Sequence, residues 1–315
     1  MKRESKEAIE KHPKICYIKE MRSTITDVKP FLKWAGGKSQ LLSEIGNFYP
    51  QKIEKYCEPF VGGGAVLFDV LLKFRPKEIL INDINPELTN CYHQIKNAPE
   101  DLINLLSNWQ NQYQKQTQEE RKTTYFKKRE RFNDLIKAKE NSLEKAALMI
   151  YLNKTCFNGL YRVNSKGLFN VPSGIYKNPA ICNEDNLIAI SDVLQNIEIR
   201  TGDYKQTKNF IDSNTFVYID PPYRPLTESS FFTAYSENKF GDKEQIELGN
   251  FVNEIHAKGA KILLSNSDPK NVNSQDNFFD DLYRPYQIHR VNASRMINSK
   301  ASERGKITEL IVACL

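Results

Sequence analysis

The chain has 315 residues, 40% of them apolar and 11% aromatic, which is enough to bury a sizeable core and sets disorder aside. Its net charge of +6 suits a polyanionic partner without requiring one, since many ordinary enzymes share so mild an excess. Six cysteines (Cys16, Cys57, Cys91, Cys156, Cys182, Cys314) and four histidines are scattered without C-x-x-C spacing, so no zinc cluster is readable and no metal is expected. Such cysteines fit reduced, buried thiols, no run approaches the ~20 apolar residues of a membrane span, and residues 1–28 lack the apolar stretch of a signal peptide; the expectation is a soluble, cytoplasmic protein with no membrane partner.

Residues 1–28 read as a polar extension, and regular patterning begins near Pro30. A short strand around Tyr56–Cys57 should enter a glycine turn, followed by a helix from Ala65 to Leu72 and a strand Ile79–Ile81 ending at Asn82-Asp83. From about Lys96 the texture becomes helical. Leu102, Leu105, Leu106, Trp109 and Tyr113 recur at helical spacing, and Leu143, Ala147, Ile150 and Tyr151 predict one apolar face of a later helix. Between them, the basic stretch Arg121–Arg131, interleaved with Glu130, reads as a solvated helix face rather than a phosphate track. Residues 155–185, rich in Asn, Gly, Ser and Pro, predict loops and a hairpin. Strand texture returns near Ile197, and Phe216-Val217-Tyr218-Ile219 is a buried strand by its continuous apolar run. A helix over Glu244–His256 should stop near Gly259, before strands Lys261–Leu264, Tyr286–Val291 and Thr308–Cys314. An α/β sheet interrupted by a mainly helical insertion is the simplest account.

Three short motifs carry chemistry. In Glu58-Pro59-Phe60-Val61-Gly62-Gly63-Gly64 the glycines let the backbone turn and approach a ligand closely, and Asp83, 19 residues after Gly64, stands where a carboxylate can take ribose hydroxyls. The full G-x-G-x-x-G is missing, which argues against NAD or FAD; a tight turn with a strand-end acid is the plainer reading. The cluster Lys33-Trp34-Ala35-Gly36-Gly37-Lys38-Ser39 imitates a phosphate loop, but Leu32 stands where that motif needs its first glycine. Trp34 and Lys38 suit instead a sulfonium amino acid, through an aromatic face and an ammonium, and a structural loop fits these residues alone equally well.

Asp220-Pro221-Pro222-Tyr223, directly after the buried strand, is the most specific signal. Two prolines remove amide donors and leave carbonyls free as acceptors, Asp220 adds a carboxylate, and Tyr223 a flat face. Those groups match an aromatic amine whose two N–H hydrogens are held while its ring stacks, so that orientation and electrostatics do the catalytic work. A plain strand-end turn is the alternative.

Together with Phe157-Asn158-Gly159-Leu160-Tyr161-Arg162, these motifs make the stretch from Pro30 to Leu315 resemble the Dam-type DNA adenine-N6 methyltransferases, in the family's order. The resemblance implies a Rossmann-like S-adenosylmethionine-dependent sheet (residues 29–95 and 191–315) with a target-recognition insertion (96–190). It implies a cofactor set of Trp34, Lys38, Glu58, Phe60, Gly62, Gly64, Asp83, Asp203 and Asp220, and a catalytic set of Asp220, Pro221, Pro222 and Tyr223. The implied substrate is double-stranded DNA, with GATC as the target and base flipping as the means. The group's restriction–modification members add a cognate restriction endonuclease as a partner to be tested for.

Within the insertion, Arg162 is the candidate guanine reader, Phe157 a wedge, and Asn158, Leu160 and Pro172 further base contacts; Lys33, beside Trp34, is a second guanine reader. Without the resemblance a solvated loop would be the plainer reading of this segment. Lys300, Arg304 and Lys306 are offered as backbone contacts. The alternatives are a methyltransferase acting on RNA or a protein amide, or a silent DNA- or nucleotide-binding module.

Overall fold

The computed structural model describes residues 28–225, 240–294 and 306–315. The extension up to residue 27, with Lys300 and Arg304, lies outside them; Val28 is buried, and Lys306 opens the last strand.

Seven strands form one sheet, β1 (Lys55–Glu58), β2 (Glu78–Asp83), β3 (Ile197–Thr201), β4 (Thr215–Ile219), β5 (Lys261–Ser267), β6 (Gln287–Ser294) and β7 (Lys306–Cys314), in the order β3-β2-β1-β4-β5-β7-β6. The first five in that order pair in parallel, whereas β7 runs antiparallel to both β5 and β6. The strand period of two sends alternate residues to opposite faces. Tyr56, Ile79, Ile81, Phe216 and Tyr218 join one core; Cys57, Leu80, Val217 and Ile219 join the other. Every residue of β4 is buried, as a central parallel strand covered on both faces demands.

On the first face lie α1 (Leu42–Gly46), α2 (Ala65–Phe74), α3 (Pro86–Asn97), α4 (Pro99–Lys115), α5 (Gln118–Lys137), α6 (Leu143–Thr155) and α7 (Glu184–Leu194); α8 (Asp242–Ala257) and α9 (Phe278–Leu282) cover the second. Local chemistry sets the helix ends. The Asn85 side chain caps α3 by accepting from Glu87 and Leu88 N–H, with Pro86 at the first helical position. Thr117 and Glu120 form a reciprocal capping box on α5. Gly259, at φ 88°, ends α8 where expected.

The helical segment shares the first face's core rather than forming a second one, and α7 spans residue 190 on its way back to the sheet. Helix α6 is not amphipathic as its spacing suggested: residues 145–153 are buried on all sides, packed among α3, α4 and α5. A buried ion pair, Lys145 to Glu87 at 2.9 Å, ties α6 to α3. The expected hairpin exists in minimal form, as antiparallel bridges Cys156–Ser173 and Val163–Phe169.

Candidate active site and DNA-facing segment

The chain runs from β1 to β3 in one direction and then returns to place β4 on the other side of β1, so the crevice beyond the carboxyl ends of β1 and β4 is a topological switch point, where open α/β sheets bind ligands. Glu58, Asp83 and Asp220 stand at the ends of β1, β2 and β4, and Asp203 follows β3. Asn82, which the sequence reading left without a role, ties the loops together. Its amide donates to the Pro59 and Gly202 carbonyls, 3.0 Å each, and accepts from Gln206 at 2.6 Å.

Asp83 accepts the Gly62 and Asn85 N–H groups at 3.0 and 2.9 Å. Burial pushes its carboxyl up and those two N–H groups hold it back. Gly62 has φ 49°, and a Cβ there would stand 3.0 Å from the Trp34 ring, so glycine is needed for both backbone and packing. Phe60 packs against Tyr204, and exposed Asp203 caps its turn by accepting from Lys205 N–H. Glu58 is buried and accepts from Tyr56 Oη at 2.7 Å; burial, reinforced by the charges of Asp220 and Asp83, pushes it well above the usual carboxylate range. Gly64, at φ 76°, starts α2.

The two principal motifs meet directly. Lys38 Nζ, on a side chain only 3% exposed, lies 2.8 Å from Asp220 Oδ2 and 4.8 Å from the centre of the Tyr223 ring. Asp220 Oδ1 is buried and meets no hydrogen-bond donor among the described residues. Burial raises the Asp220 carboxyl, Lys38 opposes that rise, and Glu309 adds to it. Of the two carbonyls expected to be free, that of Pro222 accepts from Gln245 Nε2 at 3.1 Å; Asn266 in turn donates to Gln245 at 3.1 Å. A glutamine buried beneath the turn must satisfy its amide, and the Pro222 carbonyl is the acceptor in reach, so that carbonyl is not free as expected.

Tyr223 Oη donates to Glu309 Oε2 at 2.6 Å. Burial, with the Asp220 and Glu309 charges, keeps the phenol protonated by raising it well above its ordinary value. Glu309 belongs to β7 and carried no sequence signal beyond being the acid in an apolar strand run. Its acceptor fixes the plane of the ring. Glu309→Ala should lower kcat about tenfold by freeing that plane, whereas Glu309→Gln should stay near wild type because its amide oxygen still accepts. Equal losses in the two variants, measured at saturating substrates, would remove this role.

The predicted recognition residues form a patch on the paired segments of the hairpin. Phe157, 52% exposed, donates its N–H to the Pro172 carbonyl at 2.9 Å, and Pro172 itself is exposed. Asn158 adopts φ 55°, and Leu160 is half-buried. Arg162 is exposed, its Nε held by Asn170 Oδ1 at 2.9 Å. Lys33 joins this patch: Asn153 on α6 accepts the Lys33 N–H at 2.9 Å and donates to the carbonyls of Lys33 and Gly159 at 2.8 and 2.9 Å. Tyr161 stacks on Trp34, ring centres 5.4 Å apart, and so joins the insertion to the cofactor-type loop. Asn153 drew no notice in the sequence and Tyr161 only as a member of the Phe157–Arg162 motif, although a buried Asn in an apolar helix is itself a signal.

The Arg121–Arg131 stretch is not a plain solvated face. Arg121 and Arg129 donate to main-chain carbonyls, Arg131 pairs with Glu144, and Lys128 lies 3.2 Å over the Trp109 ring; Lys122 and Lys127 are exposed. Contact with Trp109 desolvates Lys128, whose ammonium is pushed down to about 8.

A sheet of this order, with acid-tipped strands and a proline turn at the switch point, defines a Rossmann-like methyltransferase. Residues 34–297 match the D12 class N6 adenine-specific DNA methyltransferases, and the chain belongs to that family. It is similar over 292 residues (46% identity, 91% of this chain, 99% of the relative) to the type II methyltransferase M.MjaIII of Methanocaldococcus jannaschii. It is 41% identical to the type II methyltransferase M1.LlaDCHI of Lactococcus lactis subsp. cremoris, covering 91% of this chain and 95% of that one. A DNA adenine methylase of Haemophilus influenzae is 35% identical, over 90% of this chain and 92% of the relative. The protein is thus an adenine-specific DNA methyltransferase, and no helix among its described residues is long and apolar enough to cross a membrane.

Proposed function

We propose that this enzyme methylates N6 of the adenine in duplex GATC, using S-adenosylmethionine and flipping the base into the crevice above β1 and β4. One observation carries the reading: at the switch point, Asp220 keeps one oxygen buried and undonated while Lys38 holds the other. An exocyclic amine brings two N–H donors. One fits Asp220 Oδ1 and the other the Pro221 carbonyl, while the base stacks on the face of Tyr223 that Lys38 leaves open. This geometry directs the nitrogen lone pair out of the ring plane.

S-adenosylmethionine supplies a methyl on a sulfonium, and the crevice suits it. Trp34 lies over the glycine turn, and Asp83 and Asp203 face the ribose and adenine ends in this reading. Since Lys38 already pairs with Asp220, its part toward the cofactor carboxylate is shared with that pairing. Trp34→Ala should weaken cofactor affinity about tenfold, as loss of an aromatic face for a cation predicts, and leave site preference intact. Unchanged affinity by calorimetry would take Trp34 out of the site.

In this reading Phe157 supports the opened stack, Asn158, Leu160 and Pro172 touch bases, and Lys33 and Arg162 read the two guanines. Residues 29–95 and 191–315 act as the catalytic part and 96–190 as the recognition part. Relatives named type II methyltransferases support a cognate restriction endonuclease as partner at the same site, and the chemistry suits a cytoplasmic, DNA-associated enzyme. The test is methylation of GATC duplexes against duplexes changed at one base pair. Equal rates on GATC and a changed duplex would reject the target.

A further inference from the structure

Four side chains of α5 repeat every fourth residue, Arg121, Tyr125, Arg129 and Asn133, and so share one face of that helix. All four hydrogen-bond to the main chain of residues 169–177. Asn133 grips both sides of Phe169, donating to its carbonyl at 3.1 Å and accepting its N–H at 2.9 Å. Tyr125 Oη and Arg129 both donate to the Val171 carbonyl, at 2.7 and 3.3 Å. Arg121 donates to the Tyr176 and Lys177 carbonyls at 3.1 and 3.2 Å, and Tyr113 of α4 reaches Tyr176 as well, at 2.9 Å.

The segment needs this support because its own pairing amounts to two isolated bridges. The carbonyls of Phe169, Val171, Tyr176 and Lys177 are turned toward α5, and the side chains left exposed include Pro172 and Ile175, the latter 83% exposed. Asn170 lies between the two pinned residues Phe169 and Val171 and holds Arg162 at both ends, through its Oδ1 to Arg162 Nε and through its N–H to the Arg162 carbonyl at 3.1 Å. The position of the Arg162 guanidinium is therefore fixed at one remove by α5.

We propose that this row of α5 is a set of positioning residues for sequence discrimination, holding the arm so that Arg162 and Pro172 meet base edges in register. The proposal rests on the reading that this arm faces the DNA. Base-edge contacts are directional and fail with a displacement of about 1 Å, whereas Asp220 stands at the end of β4 and the arm reaches the cofactor-type loop only through ring contacts, Phe169 on Tyr161 and Tyr161 on Trp34, and through Tyr176 under Lys33. Loss of the row therefore costs discrimination before it costs chemistry.

The experiment compares wild type, Tyr125→Phe, Tyr125→Phe/Asn133→Ala and Arg162→Ala. Each is assayed on the wild type's own preferred duplex, found by sequencing modified bases, and on duplexes altered at one base pair. Tyr125→Phe removes a single oxygen and keeps the packing, so it serves if the double variant folds poorly. The double variant should lower the ratio of kcat/KM between preferred and altered duplexes about tenfold, with kcat on the preferred duplex and cofactor affinity near wild type. Tyr125→Phe should lower it in the same direction, and Lys122→Ala, on the exposed side of the helix, should not. A purely stabilising role would lower the melting temperature and leave the ratio unchanged, or reduce all rates equally, and either result overturns the proposal. If Arg162→Ala loses discrimination while the α5 variants keep it, the positioning role fails and the recognition reading stands. If Arg162→Ala also keeps wild-type discrimination, the recognition reading fails, and the proposal with it.

Discussion

Replacing Asp220 with alanine is expected to cut kcat by about 10²–10³, the range for losing one preorganised group aimed at developing charge. In the proposed reading the carboxylate contributes twice: its Oδ1 accepts from the amine, and its charge faces the positive character that the nitrogen acquires as it takes up the methyl. Alanine also leaves the buried Lys38 ammonium with only the Gly36 carbonyl and the Tyr223 ring in place of a carboxylate at 2.8 Å, which should lower stability. Asp220→Ala/Lys38→Met should therefore recover stability without recovering turnover, which separates folding from chemistry. The pH dependence follows from the same pair. If turnover needs the carboxylate, it should fall as pH drops through the pKa of that group, which burial raises and Lys38 restrains. Lys38→Met removes the restraining cation, so the carboxyl protonates at higher pH and the acid limb of kcat moves upward. A limb that stays in place, or turnover of Asp220→Ala within a few-fold of wild type, would contradict the assigned role.

The second large effect is expected at Arg162. Asn170 takes Nε of the exposed fork, and the proposed reading assigns the two Nη groups to a guanine edge. A bidentate contact of that kind is worth about 1–3 kcal/mol of discrimination, so Arg162→Ala should lower the rate ratio about tenfold to a hundredfold at one base pair. Lys33→Ala should do the same at a different pair. The Lys33 side chain packs against Gly159, but its loop is held by Asn153 through the Lys33 backbone, so removing the side chain leaves the loop in place. The measurement is methylation of single-pair duplex variants. Unchanged discrimination in both variants at every position would reject the two-reader arrangement.

What the sequence made legible follows from locality. Continuous apolar runs marked β4 and β5, glycines marked the turn after β1, and the prolines after Ile219 marked the Asp-Pro-Pro-Tyr turn within one residue of the strand end. The unread features depend on partners distant along the chain. Glu309 lies 86 residues from Tyr223, and Asn153 lies 120 from Lys33. Nothing local to either distinguishes a site residue from a strand or helix residue. The charged stretch of α5 misled for the same reason. A row of arginines looks solvated until the carbonyls of residues 171–177, which only the fold brings near, are there to receive it. Helix α6 showed one apolar face because periodicity registers contrast, and a helix enclosed on every side offers little.

The most direct test of the central claim is the identity of the methylated product. Purified wild type and Asp220→Ala are incubated with methyl-labelled S-adenosylmethionine and with duplex DNA, RNA or protein, and the products are digested and resolved by mass spectrometry. The structure and family predict label in N6-methyldeoxyadenosine from duplex DNA with wild type, and almost none with Asp220→Ala. Label chiefly in RNA or a protein amide, or undiminished label in DNA with the variant, would contradict the account.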